Sequence, residues 1–207
     1  NGTSVICAMC IEVAMTHDSS IDTPTLALVL LAGGRGERLG GQDKGLLRLH
    51  GDTLVERLLA RFAARTQERW IIANRHLDTY RQLAGVFGAQ VIADDDPGFQ
   101  GPLMGLLTGL RHATSDLVLV LPCDAARLPD GLLDALWRQL DASGSDAVCA
   151  SVGGRLYPVC CLLRRDLLAS LERAFAAGER SPARWLASVG VSQCDFAAAG
   201  DAACWSI

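Results

Sequence analysis

Short, almost wholly apolar runs alternate along this chain with longer stretches whose apolar residues recur at helical spacing. Leu26–Leu31 and residues 117–121 contain only Leu, Val and Ala. Such runs are too short for helices and read as strands buried on both faces. Residues 53–65 place Leu54, Leu58 and Leu59 on one face and predict a helix. The same reading gives strands at 70–73 and 90–93 and a helix at 77–87. A further helix spans 102–113, entered at Pro102 just after Gly101. The second half is less regular, with helices at 132–140, 166–175 and 182–189 and strands at 147–152 and 157–163. No internal repeat, low-complexity segment or long linker divides the chain. Alternation of strand and helix implies right-handed crossovers and a parallel sheet. The expected fold is α/β, a three-layer α/β/α Rossmann-like domain with a mostly parallel central sheet. Ligands of such sheets sit beyond the carboxyl ends of the strands. The loop after Leu31, Asn74, Asp94 and Asp124 all fall at predicted strand ends.

The loop after the first strand changes the picture from fold to chemistry. Residues 31–44 read Leu-Ala-Gly-Gly-Arg-Gly-Glu-Arg-Leu-Gly-Gly-Gln-Asp-Lys. Glycines let a backbone approach a ligand and present its N–H groups. Arg35, Arg38 and Lys44 add cations beside those donors, a combination that suits a nucleoside triphosphate. A glycine-rich turn with solvated charges is the alternative. The Walker A pattern fails, because Gly36 and Gly41 have its spacing but Gln42-Asp43-Lys44 follows where Lys-Ser/Thr belongs. The dinucleotide fingerprint fails too, with Leu39 in place of its last glycine. An ordinary ATPase or NAD enzyme is therefore disfavoured.

Composition narrows the rest. The 207 residues suit one domain, and half of them are apolar, enough for a core. A net charge of −4 gives no sign of a nucleic-acid surface. No apolar run reaches membrane-spanning length. Residues 5–15 are fairly apolar, but no Lys or Arg precedes Arg35, so a secretory signal is a poor reading and a cytoplasmic one is preferred. Of the eight cysteines, Cys7 and Cys10 form one C-x-x-C without a matching second pair. Cys123, Cys149, Cys160 and Cys161 read as small core residues. Residues 1–24 differ in character from the rest of the chain. They are expected to be a non-functional N-terminal extension, with Met15 as a candidate natural start and 25–207 as a single nucleotidyltransferase domain.

The loop L-A-G-G-x-x-x-R-L-G-G-x-D-K resembles the signature of the molybdenum cofactor guanylyltransferases. Ala73-Asn-Arg-His76, Val91-Ile-Ala-Asp-Asp95 with Gly101-Pro-Leu-Met-Gly105, Pro122-Cys-Asp124 and Ala177-Gly-Glu-Arg180 resemble further segments of that family, in the same order. The resemblance covers residues 26–196. It implies a glycosyltransferase-A-like nucleotidyltransferase fold and transfer of GMP from GTP to molybdenum-molybdopterin, with Mg²⁺ as cofactor. It also implies that Leu31, Ala32, Gly33, Gly34, Lys44, Asn74, Asp94, Gly101 and Gly105 bind substrate. Arg38, Lys44 and Asp124 would be catalytic, and Asp124 the metal ligand. Implied partners are GTP, molybdenum-molybdopterin, and the proteins of molybdopterin delivery and molybdoenzyme maturation.

Elementary chemistry is compatible with those roles. Charge develops on the α-phosphoryl oxygens and the departing pyrophosphate, so positioned cations matter most. Mg²⁺ takes hard oxygens, often one or two carboxylates plus phosphates. Asp124 could instead cap a turn, and Asn74 a strand end. Gly101 and Gly105 could serve packing alone. Asp94 could meet guanine, ribose or metal, with Asp95 and Asp96 as alternatives. Arg155-Leu-Tyr-Pro158 stands where the family has Arg-x-His-Pro, with Tyr157 replacing His. The ending Asp201–Ile207 departs further, with Trp205 and Ile207 in place of two asparagines. Other readings are a molybdenum cofactor cytidylyltransferase, a sugar- or polyol-phosphate nucleotidyltransferase, and a non-catalytic GTP-binding relative. The L-A-G-G opening and the Pro122-Cys-Asp124 segment favour guanine over cytosine.

Overall fold

A computed structural model describes residues 24–34, 42–94 and 101–197. In chain order its elements begin with β1 (Leu26–Leu31), the short strands β2 (Arg48–Leu49) and β3 (Asp52–Thr53), and α1 (Leu54–Phe62). Next come β4 (Glu68–Ile72), α2 (Leu77–Gly85), β5 (Gln90–Ile92), α3 (Pro102–His112) and β6 (Leu117–Pro122). The second half holds α4 (Leu132–Ser143), β7 (Ala147–Val152), β8 (Arg155–Arg164), α5 (Leu168–Ala176), α6 (Pro182–Ser188) and β9 (Ser192–Asp195).

Seven strands form one sheet in the order β5-β4-β1-β6-β8-β7-β9. β5, β4, β1 and β6 run parallel, each beside the next. β8 is antiparallel to both β6 and β7, and β9 is parallel to β7. The expected α/β/α fold with a mostly parallel sheet is what forms. The 117–121 run is buried on both faces as its composition requires, yet only one of its two neighbours is parallel. β2, β3 and β9 were not expected. Each is at most four residues long, too short for an alternation signal.

Period-two alternation sorts the core into two layers. Leu26, Leu28 and Leu30 of β1 pack on the side covered by α1, α2 and α4. Ala27 and Val29 face α3, α5 and α6. β6 divides likewise, with Leu117, Leu119 and Leu121 on the first side and Val118 and Val120 on the second. At roughly 1.5–3 kcal/mol per fully buried Leu or Val, these two strands are a main anchor of the core. α1 starts in a capping box. The Thr53 hydroxyl accepts from Glu56 N at 3.2 Å, and Glu56 Oε2 accepts from Thr53 N at 2.8 Å. At the amino edge, Thr25 N and Oγ1 donate to Asp116 Oδ2 at 2.8 and 2.9 Å, tying the start of β1 to the start of β6.

Cys123, Cys149, Cys160 and Cys161 are buried thiols, as expected of core residues. Burial raises all four pKa values, that of Cys149 to about 12. Thiolates are thereby disfavoured. Cys7 and Cys10, the proposed extension 1–24 up to residue 23, and the Asp201–Ile207 ending lie outside the described residues. No described helix is long and apolar enough to cross a membrane.

Candidate functional site

Four parallel strands deliver the sequence-predicted residues to one edge. Asp94 follows β5, Asn74 follows β4, the Ala32-Gly33-Gly34 turn follows β1, and Asp124 follows β6. Because those strands are neighbours in that order, the four segments line up side by side beyond the sheet. The first residues beyond the strands are still fixed by backbone bonds. Ala32 N donates to Ile72 O at 2.7 Å, Ala73 N to Ile92 O at 2.9 Å, and Cys123 N to Leu31 O at 3.0 Å.

Two cavities open on this edge, and both are lined by Leu31 and Gly34. The first, of about 270 Å³, is lined by Gly33, Ile72, Asp94, Gly101, Pro102, Gly105, Pro122 and Val159 in addition. Its walls are mainly apolar, with one carboxylate. Asn74 holds that carboxylate from behind: Nδ2 donates to Asp94 Oδ2 at 2.6 Å, and Oδ1 accepts from Asp94 N at 2.9 Å. Both ends of the Asn74 amide are engaged with Asp94, so Asn74 orients that side chain. Gly33 and Gly105 allow close approach. A Cβ on Gly33 would lie 3.2 Å from Asn74 Nδ2, and one on Gly105 would lie 3.2 Å from Leu31 Cδ2 and 3.4 Å from Asp94 Oδ1.

The second cavity, of about 180 Å³, is lined by Ala32, Asp43, Lys44, Cys123 and Asp124. Lys44 Nζ donates to Asp124 Oδ2 at 2.8 Å across 80 residues of sequence. Asp124 is 7% exposed and Asp43 8%, so two nearly buried carboxylates stand beside one part-exposed ammonium. Asp43 caps the tight turn Lys44–Leu46 through Gly45 N.

Of the predicted site residues, Leu31, Gly33, Gly34, Asp94, Gly101 and Gly105 meet at the first cavity, with Asn74 behind Asp94. Leu31, Ala32, Gly34, Lys44 and Asp124 meet at the second. Arg38 lies outside the described residues, as do Arg35, Asp95 and Asp96. Asp43 enters as a buried acceptor, bonded to Gly45 N and to the Tyr80 hydroxyl. Val159 was not foreseen. It lies where the β7–β8 pairing slips between Cys149 and Ser151, and a slip of that kind leaves no local sequence signal. Arg155 stacks against Tyr157, with Cζ 5.6 Å from the ring centroid. Arg180 stacks on Phe175 at 3.9 Å and donates to the Phe175 and Glu179 carbonyls. The Ala177-Gly-Glu-Arg180 segment thus has structural work of its own.

Asp124 lies just beyond β6 and Lys44 on the short Lys44–Leu46 turn, beside the glycine-bearing turn after β1, and comparison with known proteins makes the class a nucleotidyltransferase. A model of the MobA-like NTP transferase domain matches residues 28–194. The chain is 41% identical over 170 residues to the molybdenum cofactor guanylyltransferase of Burkholderia lata, covering 80% of this chain and 83% of that protein. It is 37% identical over 174 residues to the protein of the same name from Shewanella piezotolerans, covering 84% and 83%. Among solved structures, the molybdopterin-guanine dinucleotide biosynthesis protein A of Archaeoglobus fulgidus superposes with a TM-score of 0.65 at 22% identity, covering 82% of this chain and 83% of that one. The chain belongs to the MobA-like NTP transferase family, and the resemblance drawn from its motifs holds.

Proposed function

We propose that this protein transfers GMP from GTP to molybdenum-molybdopterin. A terminal phosphate oxygen of the pterin bonds to the α-phosphorus of GTP, the bond from that phosphorus to the bridging β-phosphate oxygen breaks, and pyrophosphate departs. The observation that carries the reading is the pair of adjoining cavities: an apolar slot with one oriented carboxylate beside a charged niche holding Lys44 and Asp124.

In this reading guanine enters the larger cavity. Its N1–H and N2–H₂ are two donors on one edge, and the Asp94 carboxylate is an acceptor held in place by Asn74. Adenine and cytosine offer no such pair of donors. Gly33 and Gly34 let the nucleotide approach the backbone at the end of β1, and Gly101 and Gly105 do the same from the side of α3. The triphosphate lies over the smaller cavity. Its oxygens compete with Asp124 for the Lys44 ammonium, which supplies a positioned charge where charge develops. Arg38 is assigned to the same anionic group.

The donor set fits Mg²⁺. Asp124 offers hard carboxylate oxygens at a strand end, and Mg²⁺ commonly takes one or two carboxylates with substrate phosphates. When bound, the ion neutralises phosphate and leaving-group charge. A cytoplasmic location, a single domain over 25–207 and partner proteins that deliver molybdopterin and receive the product belong to the same proposal.

Calorimetric titration with GTP, CTP and ATP, with and without Mg²⁺, tests it. GTP-selective binding that tightens with Mg²⁺, followed by pyrophosphate release on adding molybdopterin, is the expected result. Preference for CTP overturns the guanine assignment, and binding without pyrophosphate release overturns the transfer.

A further inference from the structure

Lys44 is delivered by a tight turn, which Asp43 caps from the wall of the smaller cavity and which Tyr80 and Arg75 brace from outside that lining. Asp43 Oδ1 accepts from Gly45 N at 3.2 Å and from the Tyr80 hydroxyl at 2.6 Å. Tyr80 lies within α2 and is fully buried. Burial drives its pKa upward, so the phenol stays protonated and donates. Arg75, in the connection between β4 and α2, donates from Nη2 to Gln42 O at 3.0 Å and places Nε 3.6 Å from Asp43 Oδ2. The fit leaves no slack. A Cβ on Gly45 would fall 2.5 Å from the Tyr80 hydroxyl oxygen and 3.2 Å from Cys123 Sγ.

We infer that Tyr80 is a positioning residue for Lys44, acting through the Asp43 carboxylate. The inference rests on the reading of Lys44 as the cation that meets the triphosphate. A lysine is a point charge on a flexible stem, so its usefulness depends on where its backbone is anchored. Asp43 is adjacent to Lys44 in sequence, and its Oδ1 is shared between the turn and α2. The hydroxyl of Tyr80 therefore fixes the turn in the plane from which Nζ reaches Asp124. The same β4–α2 connection carries Asn74, which orients Asp94. One short segment thus braces the carboxylate of the larger cavity and the lysine of the smaller one.

A purely structural tie between α2 and the turn would affect stability and nothing more, so the test is a double-mutant cycle. Tyr80→Phe is made in the wild-type and Lys44→Ala backgrounds, and Kd for the nucleotide is measured by calorimetry beside thermal melts. Tyr80→Phe is expected to weaken binding about tenfold when Lys44 is present and less than about twofold when it is absent, a coupling typical of residues that act as a unit. The drop in Tm should be the same in both backgrounds. Equal weakening in both backgrounds, or none in either, overturns the inference. Asp43→Asn, which keeps an acceptor for Tyr80 and Gly45, is expected to lose less than Asp43→Ala. Should Tyr80→Phe fail to fold, that pair run in both backgrounds gives the same readout. A wild-type chain that binds CTP or ATP in place of GTP overturns the guanine assignment alone, and the cycle is then run with that nucleotide. One that binds none of the three overturns both.

Discussion

The two cavities share Leu31 and Gly34 but are made in opposite ways. The larger is shaped by backbone proximity. Missing side chains on Gly33 and Gly105 leave room, the walls are mainly apolar, and a single carboxylate sets polarity. The smaller is shaped by charge. Its lining includes two nearly buried carboxylates and an ammonium, held by a capped turn and an ion pair. Contacts of shape act on the ground state and the transition state alike, whereas placed charges act most where charge develops. The larger cavity should therefore govern selectivity and act through KM alone, and the smaller, where Lys44 also meets the triphosphate on binding, should govern turnover.

Mutation can break that division. The largest effect is expected from Asp124→Asn, which keeps the shape of the niche and removes its charge. Turnover should fall on the order of a hundredfold or more, while GTP affinity stays within about tenfold. Pyrophosphate-release kinetics beside calorimetry checks this, and near-normal turnover would return Asp124 to a turn-capping role. Asp94→Asn comes next. It sets an amide donor against the donor edge of guanine, and preference for GTP over ATP should shrink by roughly ten- to a hundredfold with kcat little changed. A fall in kcat with selectivity intact would place Asp94 on the phosphate side.

Gly105→Ala sharpens the contrast at smaller scale. The new methyl would sit 3.2 Å from Leu31 Cδ2, tight enough that Leu31 must give way. KM for GTP should rise about threefold to tenfold with kcat preserved, in line with ~1 kcal/mol of overpacking. Glu179→Gln, away from both cavities, sets the baseline. Hydrogen bonds from Arg184, first, and from Ser181 hold the Glu179 pKa down to about 2. A folded-state value below the ordinary carboxylate value adds stability above the ordinary value, and this is lost as pH falls through the lowered one. The variant should melt slightly below wild type at neutral pH, with the gap closing towards pH about 2, and its nucleotide binding should be unchanged.

Strand composition and turn residues made the candidate site legible before any contact was known. Leu26–Leu31 announces a buried strand, glycines follow it, and Asp124 ends a second apolar run. Each is a local signal. What escaped depends on segments far apart in sequence. Tyr80 reads as one more aromatic on a helical face until α2 is docked against the Lys44–Leu46 turn. β8 reads as a strand of unstated direction until it is placed between β6 and β7. The hold of Asn74 on Asp94, a partner 20 residues on, likewise leaves no local signal.

The clasp between Thr25 and Asp116 joins positions 91 residues apart, and β1 pairs with β6 over the same interval. Contacts of such span form slowly, because the loop between them must be closed before any pairing rewards it. Lys44 and Asp124 stand on opposite sides of that closure. During synthesis the smaller cavity thus cannot be complete until β6 has emerged and paired with β1, and the larger one must wait further for Val159 of β8.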